Sequence, residues 1–249
     1  MAEHLPSIRD EEWRYADFEV LEGLSPATFA VWRDIEVSAG GTVRECFVLD
    51  GAGPELRRLR VKVGEGGRCE LFAVNAARDY ARVEIVVQLA QGAHFEFGGV
   101  TIGGGDATRE FVTRVDHAHP AASSHQIVRA VHWGQATGNF LGRIDVGRGG
   151  QKTDAVQDFK ALLLERGASA NAKPELEIFA DDVKCAHGAA IGQLDEAARY
   201  YMAARGISPE SARKLLIRAF IADAFAALAD EAEQERLLGA ALARMAEQL

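Results

Sequence analysis

Cys185 and His187 are the residues of this chain whose types and spacing best suit chemistry. They lie in the run Glu175-Leu-Glu-Ile-Phe-Ala-Asp-Asp-Val-Lys-Cys-Ala-His-Gly-Ala-Ala-Ile-Gly192. Alternate side chains of an extended strand share a face, so a Cys-x-His spacing sets thiol and imidazole side by side. These are the donors of zinc, copper and iron–sulfur chemistry. Two donors leave a tetrahedral site half built, and a second segment or a second chain must supply the rest. Gly188 marks an expected bend in the strand. Asp181 and Asp182 would alternate faces on that strand, so they are not an acid pair acting on one substrate. One is expected in solvent and the other on a turn amide.

A second set is His117 and His119, a His-x-His spacing with Asp116, His125 and His132 as further candidate donors. It defines the alternative reading, an independent metal-binding β-fold enzyme. Pro120 implies a turn directly after it. The glycine runs Gly103–Gly105 and Gly147–Gly150 lack the Lys-Ser/Thr of a phosphate loop. Neither a Gly-x-Ser-x-Gly elbow nor a His-Glu-x-x-His motif occurs.

Composition narrows the partners. The chain has 249 residues, 48% of them hydrophobic, enough for a full core. A formal net charge of −9 argues against a nucleic-acid or anionic-membrane surface. No apolar run approaches a membrane span, and the first ten residues read as lacking a signal peptide. Cys46, Cys69 and Cys185 are odd in number and far apart, which suits a reducing cytoplasm rather than a disulfide framework.

The elements that must position these residues fall into three zones: 1–34, 35–192 and 193–249. The first reads as a short helical segment, one helix from Asp10 to Leu24 that Pro26 breaks. The middle zone repeats short runs rich in β-branched residues: Leu59–Val63, Val83–Leu89, His94–Phe97, Glu110–Val115, Gln126–Val131 and Gly142–Val146. Alternating polarity makes them strands with one buried face. Without long helical patterns between them, a sandwich, a barrel or a parallel β-helix remain open. The scarcity of Asn-Gly and Asp-Gly turns favours a solenoid. The last zone switches to helical period. Leu194, Ala197, Ala198, Tyr201 and Met202 make a stripe ending at Gly206. Ser208-Pro209-Glu210 caps a new helix carrying Leu215, Leu216, Ala219, Phe220, Ala224 and Leu228. Leu237, Leu238, Leu242 and Met245 suit one more helix. The Tyr200-Tyr201-Met202 stripe is expected to pack in the core or to dock a partner.

Several blocks together resemble the SufB/SufD family of iron–sulfur cluster assembly scaffolds. They are Gln151-Lys-Thr-Asp-Ala155 with Gln157, Leu162-Leu-Leu164, and the long run from Lys173 to Ala189 around Cys185-Ala-His-Gly188. Gly192, Asp195-Glu196, Tyr200-Tyr201 and Arg205-Gly206-Ile207 continue them, and Glu12-Trp13-Arg14-Tyr15 resembles a segment near the family's start. The Cys-Ala-His-Gly pattern is similar to the SufD branch. The resemblance implies a mainly β chain: a right-handed parallel β-helix core with a short N-terminal helical segment and a C-terminal α-helical subdomain. It implies a non-catalytic scaffold that meets a SufB-type subunit across an end of the β-helix. The helices of roughly 195–228 would dock a SufC-type ATPase. His187, with Cys185 beside it, would hold iron or an iron–sulfur cluster transiently at the partner interface, with no tightly bound cofactor. Unpaired strand edges at the ends of a β-helix would also allow a homodimer when the chain is alone. Relatives carry a longer helical region after the Trp-Arg-Tyr motif, and Ala186 and Ala190 stand where Ser and Thr are common.

Overall fold

The computed structural model describes residues 6, 7 and 9–246. Part of the leader-free reading of the first ten residues therefore lies outside the described residues.

Period-two alternation produces two six-stranded sheets. The first contains β1 (Arg33–Val37), β3 (Glu55–Val63), β5 (Ala81–Leu89), β7 (Thr108–His117), β9 (Thr137–Val146) and β11 (Ser169–Ile178). The second contains β2 (Thr42–Leu49), β4 (Arg68–Asn75), β6 (His94–Gly103), β8 (Ser123–His132), β10 (Asp154–Leu163) and β12 (Lys184–Gly192). Each strand pairs in parallel with the strand two places along. The chain thus winds a right-handed parallel β-helix of about 6 turns. Every run that the alternation marks as a strand falls inside one of these.

Registry stacks like on like through the interior. Ile35, Val61, Val87, Val115 and Ile144 form one unbroken ladder across the first sheet. Aromatic rings fill the wider part, with Phe97 edge-on to Phe111 at 5.2 Å and Phe140 stacked on Phe159 at 5.8 Å. Polar groups inside this core are bonded or kept neutral. Burial, with Arg109 adding to the shift and the Gly103 carbonyl opposing it, pushes the His132 imidazole down to about 3. Burial likewise takes His117 down to about 4.

Those two histidines make the fold acid-sensitive. The unfolded chain takes up their protons near pH ~6.5. The folded chain resists until about 4 and 3. Their contribution is therefore complete above the unfolded value and is lost as pH falls through that window. Each adds a slope of at most about 1.4 kcal/mol per pH unit. His132→Gln is expected to flatten the fall in urea midpoint between about pH 6 and 4, and an unchanged slope would contradict this.

The outer faces carry the helices. The first zone is not one helix but a 3-10 turn at Glu11–Trp13, α1 (Phe18–Leu21) and α2 (Pro26–Ala30). Pro26 opens α2 instead of ending a longer helix, because its missing N–H costs nothing in a first turn. Trp13 and Leu21 pack with Tyr80 against the first sheet. The Trp13 ring covers the Arg82 guanidinium at 3.8 Å. Beneath it, the Glu110 carboxylate accepts from Arg82 Nη1 at 3.2 Å, from Tyr80 Oη at 2.6 Å and from Asn139 Nδ2 at 2.9 Å.

At the other end of the chain come α3 (Glu196–Ala203), α4 (Pro209–Ala222), a 3-10 turn at Asp223–Phe225 and α5 (Glu231–Ala246). Ser208 Oγ accepts from the Ser211 N–H at 3.2 Å and caps α4. Ile217, Ile221, Phe225, Leu228, Leu237 and Met245 pack on Phe72, Val74, Val100 and Ile102 of the second sheet. Leu215, expected on the buried stripe, faces solvent, since Ala212, Ile217 and Ile221 turn inward instead. Arg129 of β8 anchors this layer through Nε to Asp223 at 3.0 Å. Helix α3 stands apart: Tyr200 and Tyr201 are 79% and 57% exposed, so they do not pack in the core. Among the described residues, no helix is long and apolar enough to cross a membrane.

Candidate functional site at the open end of the β-helix

Strand β12 is the last of its sheet and β11 the last of the other, so one edge of each is unpaired. Register places Cys185 on Ala155 and His187 on Gln157. Those residues in turn stand on Ser124 and Gln126 of β8. The row below is fully buried, which puts Cys185 and His187 on the inward face of the final turn. They do share a face, as their spacing predicts. With no further turn above them among the described residues, His187 is exposed, while Cys185 is half-buried against Ile144, Val146 and Ala155.

The electrostatics differ between the two. Burial pushes the Cys185 thiol up, and the charge of Asp154 pushes it further, against a backbone hydrogen bond from Ala155. A metal binding Cys185 must therefore displace a proton. His187 has no such enclosure. Beneath it, the amides of Gln157 and Gln126 are fully buried and make no hydrogen bond among the described residues, so the interior here is polar. Ile178, Phe179 and Ile191 are exposed apolar side chains on the same terminal strands or directly after them.

Two local expectations fail. Gly188 does not bend the strand; it sits within β12, paired with Asp158. Asp181 and Asp182 lie in the turn between β11 and β12 rather than on a strand. Their segment is held by its backbone: the Asp182 N–H donates to Gln151 Oε1 at 3.0 Å, and the Lys152 N–H donates to the Asp182 carbonyl at 2.5 Å.

The His117/His119 alternative also fails on geometry. His117 ends β7 facing the interior, with Nε2 2.9 Å from Ser124 Oγ. His119 is exposed in the following turn. His132 is enclosed by Thr101 Oγ1 at 3.0 Å and the Gly103 carbonyl at 3.1 Å. His125 belongs to a different cluster, on the outer face of the second sheet. The Cys46, Cys69 and Cys185 thiols are all free.

Known proteins are similar to parts of this chain. A family model described as "SUF system FeS cluster assembly, SufBD core domain" matches residues 48–220. The iron-sulfur cluster assembly protein SufD of Escherichia coli is 35% identical over 126 residues, 51% of this chain and 30% of the relative. The chloroplastic protein ABCI7 of Arabidopsis thaliana is 42% identical over 118 residues, 46% of this chain and 24% of the relative. An iron-sulfur cluster assembly SufBD family protein of Synechocystis is 34% identical over 158 residues, 63% of this chain and 35% of the relative. The aligned part is thus at most 35% of each of these three proteins. A match from the end of β2 through β12 and into α4, covering Cys185 and His187, establishes that the chain belongs to the SufBD core family.

Proposed function

We propose that this chain is a SufD-like, non-catalytic scaffold subunit in iron–sulfur cluster assembly, with His187 as the residue that meets iron or the nascent cluster. The observation that carries this reading is the exposed His187 on the terminal strand, one edge of which is unpaired, on the inward face of the solenoid. An imidazole presented at an open end supplies one ligand and leaves the others to a partner, as a transient site requires. Cys185 is the second, weaker donor beside it. Iron or the cluster is cargo, not a resident cofactor.

A SufB-type subunit fits the open end, where unpaired strand edges and apolar rim residues await cover. A SufC-type ATPase fits the helices of roughly 195–228, where Tyr200, Tyr201 and Leu215 are exposed. Hydrolysis in that partner would shift α3 and α4, and with them the strand edge that holds His187. A homodimer through the same end is the form proposed for the chain alone. Free thiols suit a reducing compartment, and we assign the cytoplasm, although one relative is named chloroplastic.

The test is the His187→Ala variant co-expressed with a SufC-type ATPase and a SufB-type subunit. Light scattering after gel filtration is expected to give an unchanged complex mass. Iron and acid-labile sulfide bound per complex are expected to drop to background. Normal cluster content in the variant would remove His187 from the mechanism, and a chain that elutes alone would remove the scaffold reading itself.

A further inference from the structure

A histidine and a carboxylate at positions i and i+2 of a strand share a face, and the strand alongside can bring a third donor level with them. His94-Phe-Glu96 of β6 has this spacing, and Glu96 is in register with His125 of β8. All three point outward from the second sheet, beyond the edge of the helical layer. His94 Nε2 lies 3.1 Å from Glu96 Oε2, and His125 Nδ1 lies 3.8 Å from the same oxygen. The donor atoms of the three residues are all within 4.8 Å of one another. Donors about 2.1 Å from a tetrahedral metal stand roughly 3.4 Å apart, so the two measured distances bracket the spacing required.

The surroundings favour a built site over a chance pairing. Ser123 Oγ is 2.8 Å from His94 Nδ1, which fixes the ring and leaves Nε2 to face the carboxylate. The rings of His94 and His125 meet edge to face at 5.5 Å. Glu96 is buried, His94 half-buried and His125 exposed, so the site is anchored below and open above. One cation already leans on it: Arg68 Nη2 is 3.8 Å from Glu96 Oε2. Its Nε, however, is committed to Glu70, which Arg44 also pairs at 2.5 Å. Arg68 is a competitor for the carboxylate, not its principal partner.

We propose that His94, Glu96 and His125 form a site for one divalent first-row transition ion. Two imidazoles and a carboxylate suit zinc(II) or iron(II), with the remaining coordination positions open to solvent. On binding, the ion replaces whichever proton His94 Nε2 shares with Glu96, and that proton leaves to solvent. The site stands on the outer wall, on a different sheet face from His187, and does not depend on the proposed function.

The experiment is a titration of the full chain, free of any histidine tag, with cobalt(II), followed by its ligand-field absorption and then by zinc(II) competition. The His187→Ala variant serves as background, so that the open end contributes nothing. One equivalent of cobalt(II) is expected to bind there. His125→Ala, whose side chain is exposed, is expected to bind at least about tenfold more weakly with an unchanged circular dichroism spectrum. Arg68→Ala is expected to bind more tightly, because the competing guanidinium is gone. Absence of binding in the His187→Ala chain, or binding that survives the His94→Ala/His125→Ala double variant, overturns the proposal.

Discussion

Replacing Glu110 with alanine is expected to cost about 3–5 kcal/mol of stability. Arg82 and Glu110 are both completely buried. Burial alone would lower the Arg82 guanidinium, but Glu110, Tyr80 and Glu84 outweigh it and hold its pKa above the usual value. With Glu110 gone, the cation has among the described residues only the more distant Glu84 at 3.8 Å and the Trp13 ring, while Tyr80 Oη and one Asn139 bond lose their acceptor. Domains of this kind have about 5–15 kcal/mol in total, so the change is a large share. Urea unfolding should show it as a lower midpoint. The double variant Glu110→Gln/Arg82→Met should recover much of the loss, because a neutral pair carries no stranded charge. A single variant within about 1 kcal/mol of wild type would mean that Arg82 is not held by this carboxylate.

The second large effect is expected at Gly98. A Cβ there would sit 1.9 Å from the Ala224 carbonyl oxygen and 2.7 Å from Phe72 Cδ1. Backbone cannot swing aside as a side-chain tip can, so Gly98→Val must push the 3-10 turn at Asp223–Phe225 off the sheet. We expect a loss of about 3 kcal/mol, at the upper end for an overpacked site. The displacement also strains the Arg129–Asp223 contact, which lies on the same turn. Hydrogen exchange should report it selectively, with faster exchange in α4 and α5 and little change in the interior ladder. Unchanged exchange in both helices would show that the layer is not seated through this close approach.

The parts that were legible in the sequence are those set by local periodicity. Strands such as Val83–Leu89 and Gln126–Val131 announce themselves by alternation, and Ser208-Pro209 announces α4 by its cap. The shared face of Cys185 and His187 follows from their spacing alone. The exposure of His187 does not, because it depends on there being no turn beyond β12. Leu215 and the core-packing alternative for the tyrosines of α3 misled for a related reason: a helical stripe shows which residues align, not whether another surface covers them. His94, Glu96 and His125 were hidden in another way. Glu96 and His125 become neighbours only through the length of one turn of the solenoid, which fixes a register across 29 residues. The run His94–Phe97 was readable as a strand, and its His-x-Glu spacing was the available signal.

The two ends of the solenoid are chemically unlike. At the first, β1 has five residues, and Arg33, Asp34 and Glu36 charge three of them. At the last, β12 has nine residues with Lys184 as its one fixed charge. A parallel stack with two compatible ends would grow head to tail into a filament, whereas a contact between like ends closes after two molecules. In a head-to-tail stack β11 would meet β1, and a five-residue strand with three charges is a poor template for one of ten residues. On the first sheet this mismatch works against head-to-tail growth, while the last turn keeps a long strand edge open.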